Sequence, residues 1–141
     1  MILTTEKGGY VRGIPTRLSG SFRINGTSTP DTIRDGNSKS VASVTRVSAG
    51  LFTVKFDAGF PVPERLVNWH VELSQAANPT VWSRAHMVID SWSQSTRSFQ
   101  VQVLKSTAAG DTADAASDAD DNDQVSWEIF GSISSVGTDP A

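Results

Sequence analysis

Cysteine is absent from this 141-residue chain. That excludes disulfides, thiolate metal sites and a cysteine nucleophile, so the fold must hold itself together by burying apolar surface. Charge is also scarce. Asp, Glu, Lys and Arg make up 19% of the residues, and Ser, Thr, Ala, Asp and Gly fill the space between apolar groups, which is the composition of short strands joined by polar turns. No apolar run approaches the roughly 20 residues of a membrane-spanning helix. The stretch from Met1 to Gly9 lacks the basic start and apolar run of a secretory signal, so synthesis in the cytoplasm is expected and no membrane partner is.

Chemistry-bearing patterns are thin in the same way. Histidine occurs twice, at His70 and His86, and neither has a second His or a Cys at ligand spacing; a metal site needs convergent donors, so none is expected from them. There is no Gly-x-Ser-x-Gly elbow, and Gly8, Gly9 and Gly13 lack the strand-to-helix setting and the Lys of a phosphate loop. Net charge is −3 and the arginines are dispersed, which argues against a nucleic-acid stripe. These absences together predict a protein that is not an enzyme and carries no cofactor.

The charges that are present are unevenly placed. Residues 1–65 carry nine Lys/Arg against five Asp/Glu, and residues 66–141 carry three against ten, so the two parts are +4 and −7. Such asymmetry is able to steer one copy's basic face toward a neighbour's acidic loop, unless the fold mixes the two parts.

Period-two alternation runs along most of the chain. Residues 1–16, with Gly8, Gly9, Gly13 and Pro15, read as an extended N-terminal arm. Leu18, Phe22 and Ile24 mark a first strand, closed by the Asn25-Gly26 turn and a loop over residues 27–36. Residues 40–47 and 51–56 read as a hairpin about Gly50, with Phe52, Val54 and Phe56 on one face and Thr53 and Lys55 on the other. Val67, Trp69, Val71 and Leu73 alternate with Asn68, His70 and Glu72. Residues 82–92, with Met87 and Ile89, and Phe99, Val101 and Val103 give two more strands, and Val125, Trp127, Ile129 and Ile133 form the last. Seven or eight strands with nothing of helical period between them predict an all-β, antiparallel two-sheet sandwich, jelly-roll or Ig-like, over residues 17–133, followed by a tail at 134–141.

Residues 107–123 are almost wholly Ala, Asp, Gly, Thr and Ser, which predicts a solvated loop in which the Ala-rich stretch allows a short helix. Asp118, Asp120 and Asn122 start like a calcium-binding loop, but Asp123 stands where Gly is required and Ile129 where a bidentate Glu should be. A solvated acidic loop is the favoured reading over a calcium site. Four tryptophans are many for this length. Trp69 and Trp127 share the face of apolar neighbours and are expected in the core, whereas Trp82 and Trp92 bracket a strand and, if exposed, suit a subunit contact or, less readily, a sugar platform. With Tyr10 and Arg12 of the arm, Trp82 and Trp92 are the candidate interface residues.

Two stretches carry a resemblance. Residues 44–56, a strand, the Ala49-Gly50 turn and a second strand ending at Phe56, are followed by the Pro-containing turn at Pro61 and Pro63; residues 108–130 are an Ala/Asp-rich loop leading into the strand of Val125, Trp127 and Ile129. This grammar resembles small virion proteins of tailed bacteriophages, the capsid decoration (cement or head-fibre) type. The resemblance implies a structural β-domain on the outer surface of a capsid, usually a homotrimer, that binds the major capsid protein and copies of itself and stabilises the shell. It transfers no active residue. A carbohydrate-binding β-sandwich module of a phage fibre or tail is the alternative, suggested by the tryptophans and the acidic loop.

Overall fold

The computed structural model describes residues 13–32, 40–76, 82–106, 114–117 and 122–134. Nine strands are found there: β1 (Gly13–Arg23), β2 (Asp31–Thr32), β3 (Val41–Ser48), β4 (Leu51–Phe56), β5 (Arg65–Ser74), β6 (Ser83–Met87), β7 (Ser98–Ser106), β8 (Asp114–Ala116) and β9 (Gln124–Ser134). They form two antiparallel sheets. The first has the order β2-β1-β9-β5 and the second β3-β4-β7-β6, with β8 adding to β7. The chain is therefore an all-β sandwich, as the alternation predicts.

The sheets close because each turns one row of alternate side chains inward. Phe22 on β1 and Val125, Trp127 and Ile129 on β9 meet Phe52, Val54 and Phe56 on β4 and Phe99, Val101 and Val103 on β7, all buried. Aromatic rings interlock at the centre: Trp127 stands edge-on to Phe56 (5.3 Å between centroids, 81°) and to Phe99 (5.4 Å, 72°), the T-shaped geometry that the ring quadrupole favours. β1 and β9 are paired along all eleven residues, from Gly13 opposite Ser134 to Arg23 opposite Gln124. Strands from opposite ends of the sequence thus supply the middle of the first sheet.

Several turns need the residues that they have. Gly26 and Gly50 adopt positive φ (54° and 70°), which glycine enters without steric cost. At Gly50 the site is also crowded, since a Cβ there would stand 2.5 Å from the Val103 carbonyl oxygen. Arg97, at φ 59° in the turn before β7, donates from its guanidinium to the carbonyls of Asp57 and Phe60 and so ties the segment after β4 to the neighbouring turn.

The structure moves some boundaries. Gly13 to Thr16, read as part of the arm, belong to β1 because the matching end of β9 offers them a complete ladder. The tail likewise begins after Ser134, not at it. Asp31 and Thr32, read as loop, pair with Arg23 and Phe22. The strand expected over residues 82–92 ends at Met87, and Ile89 and Asp90 form a turn with Asp90 at φ 57°. In the acidic segment no helix is found among the described residues; Asp114 to Ala116 pair with β7, because the edge beyond the end of β4 is open there. Asp123, read as solvated, is buried and accepts the Ala76 amide (2.8 Å).

Candidate functional site

Among the described residues, two concave surfaces stand out. The first is the outer face of the β1-β9-β5 sheet. Alternation sends Arg17, Ser19 and Ser21 of β1, Gln124, Ser126 and Glu128 of β9, and His70 and Glu72 of β5 to the outside, where these line a trough of about 450 Å³. Pairing fixes its rows: Ser19, Glu128 and His70 lie side by side, as do Ser21, Ser126 and Glu72. The Arg17 guanidinium donates to the Glu128 carboxylate and sits 5.5 Å from the centre of the Phe130 ring. His70 Nε2 lies 3.4 Å from Glu72 Oε2, both exposed. An imidazole beside a carboxylate is half of a general-base arrangement, but among the described residues no hydroxyl is hydrogen-bonded to His70, so the dyad has no nucleophile in contact.

The second surface lies where the sheets meet at β5 and β6. β5 is the edge of one sheet and β6 the edge of the other, and they approach without pairing. At one end they part, and Arg65, Leu66 and Trp69 face Met87, Val88, Ile89, Asp90, Ser91 and Trp92 across a groove of about 340 Å³. Its floor is apolar and its rim is charged. Trp69 is 49% exposed and Ile89 84%, so large apolar groups stand open to water at the lip. The free edge of β5 is partly blunted, because the Asn68 side chain takes the Trp69 amide (2.9 Å), an edge-guarding device.

The residues singled out from the sequence fall differently. Trp127 is buried, as expected, whereas Trp69 is not in the core: it faces the inner side opposite Ile129, but among the described residues β5 has no further strand beside it, and the sandwich ends there. Alternation puts Val67 on the same apolar face, yet it is 74% exposed, because a bulge between Leu66 and Asn68 breaks the pattern at this residue. Trp82 is 69% exposed. Trp92 is half-buried, packed edge-on to Phe56 at 6.2 Å, and its indole nitrogen is buried without a hydrogen-bond partner. His86 is exposed on β6. Tyr10 and Arg12 lie outside the described residues, as do Asp111, Asp118, Asp120 and Asp121 of the acidic segment. Among the described residues no group of three or more His, Cys, Asp or Glu is placed to hold a metal.

Sequence reasoning missed Arg65, Ile89 and Asp90. A signal was present, since Asp90-Ser91 after Ile89 is a turn pair that ends the strand and leaves Ile89 outside the ladder. No family model, curated protein or solved structure matches this chain.

Proposed function

We propose that the chain is a non-enzymatic virion structural protein that binds the outside of a phage capsid and reinforces contacts between capsomers. The observation that carries this reading is the apolar surface left open at one edge of a well-packed sandwich: Trp69 and Ile89 stand in water beside a charged rim. Exposed aliphatic and aromatic groups framed by charge are what a protein partner covers. The interlocked aromatic core supplies a stiff frame for such a surface, and repetition on a capsid lattice multiplies a modest affinity at each site. The major capsid protein and further copies of this chain are the partners in this reading.

The test is the composition of purified particles. Quantitative mass spectrometry is expected to find the chain at a copy number commensurate with the capsid lattice, and removal of the chain is expected to lower the temperature at which shells open. Particles that lack the chain, or hold it at a few copies each, would sink the proposal.

A second reading is a carbohydrate-binding module of a fibre or tail. It is favoured by the half-exposed Trp69 ring, with Arg65, Asp90 and Ser91 around the same groove to meet sugar hydroxyls. Glycan arrays should then give a signal that Trp69→Ala removes. Arrays that stay blank with and without calcium dispose of it.

A further inference from the structure

We infer that two copies of this chain associate through the β5/β6 groove about a two-fold axis, each copy placing Ile89 in the groove of the other. The inference rests on the groove alone and does not require the virion reading; within that reading, the partner that covers this edge is a further copy of the chain.

The groove offers both members of a self-pairing contact: an apolar hollow with a protruding apolar side chain beside it, and one charge of each sign. Its concave part is Leu66, Trp69, Met87 and Trp92, and its convex part is the Ile89 side chain at the adjoining turn, carried outward where Asp90 bends the backbone to φ 57°. An isolated chain cannot put its own protruding lip into its own groove. A second copy turned by 180° can, because an isologous contact matches one patch with itself.

The rim carries one charge of each sign, Arg65 and Asp90. Neither side chain has a hydrogen-bond or ion-pair partner among the described residues. In a two-fold pair Arg65 of each copy meets Asp90 of the other, so the operation that seats Ile89 also pairs both free charges twice. A partner of uniform charge would leave one of the two uncompensated.

Size sets the expected strength. The open part of Trp69 amounts to roughly 100 Å², half of an aromatic side chain's area, and Ile89 widens the apolar centre. An apolar centre of this size belongs to interfaces no larger than the low end of the stable range, about 1,200 Å² in total, so association is expected to be weak and reversible. An isologous contact closes at two copies.

Sedimentation equilibrium of the full chain measures this directly. Mass is expected to rise from one copy to two across the micromolar range. Ile89→Asp should hold the protein at one copy, and Arg65→Glu and Asp90→Arg should each weaken association by about 10–100-fold, because each creates two like-charge contacts. Mixing these two single variants is the decisive arm. In the mixed pair the acid introduced at position 65 of one copy faces the base introduced at position 90 of the other. At the second contact the unchanged Asp90 of the first copy meets the unchanged Arg65 of the second, so two weakly associating proteins should form a dimer on mixing. Circular dichroism melts check that the variants fold. A wild-type chain that stays single at millimolar concentration, a trimer, or a mixture that does not associate overturns the inference.

Discussion

Trp127 and Trp69 lie on neighbouring strands and face the same way, yet they meet opposite fates. Each alternates with polar residues in sequence, Trp127 with Ser126 and Glu128, Trp69 with Asn68 and His70. On the inner face Trp127 is opposite Val71, and Trp69 is opposite Ile129. Trp127 is buried against Phe56 and Phe99, whereas Trp69 is half in water. The difference is position in the sheet: among the described residues β9 has β1 on one side and β5 on the other, and β5 has a paired neighbour on one side alone. Alternation says which face a side chain takes. The place of its strand in the sheet says whether anything covers it.

The largest expected effect tests the covered member. Trp127→Ala opens a cavity at the centre of three packed rings and should destabilise the fold by about 3–5 kcal/mol, read as a fall in the urea midpoint with an unchanged slope. Gly50→Ala should follow at about 2–4 kcal/mol, because an added Cβ meets the Val103 oxygen and the Ser117 amide nitrogen while the backbone stays at φ 70°. Gly59→Ala is its control. Nothing stands within 4 Å of a Cβ there, and the change should stay within about 0.5 kcal/mol.

Asp123→Ala should cost about 1–3 kcal/mol, since it strands the Ala76 amide beside the start of β9. Asp123→Asn keeps an oxygen in place and should lose less. Equal losses in the two variants would show that charge, not hydrogen bonding, holds the segment. Trp69→Ala should cost about 1 kcal/mol or less when the chain is dilute and single, because so much of the ring is already in water. A loss as large as that of Trp127→Ala would erase the distinction between edge and centre.

The same distinction explains what was legible in the sequence. Phe52, Val54 and Phe56, with Gly50 before them, specify a hairpin and its buried face through local rules alone, and the structure agrees. Alternation misplaces Trp69 and Val67 because no local rule states which strand lies at an edge or where a bulge falls; both are decided by residues far along the chain, such as Phe130 opposite Asn68. Gly13 to Thr16 escape it for a related reason. Their strand exists because residues 131–134, more than a hundred positions away, complete its ladder. The trough and the groove are built from such distant neighbours, so their lining was not readable, although the polarity of each lining residue was.

The smallest expected effect concerns the outer face of β9, one residue from Trp127. Glu128 accepts the Arg17 guanidinium, with side-chain exposures of 30% and 62%. Water and salt reach the pair, and holding two long side chains together costs entropy, so the coupling should be about 0.2–1 kcal/mol. A double-mutant cycle with Arg17→Met and Glu128→Gln, followed by thermal melts at low and high salt, isolates it from the stacking of Arg17 on Phe130. The coupling should shrink as salt rises. A coupling above about 2 kcal/mol that ignores salt would mean that this face is shielded from water, and the trough would then have to be treated as a covered surface like the inner one.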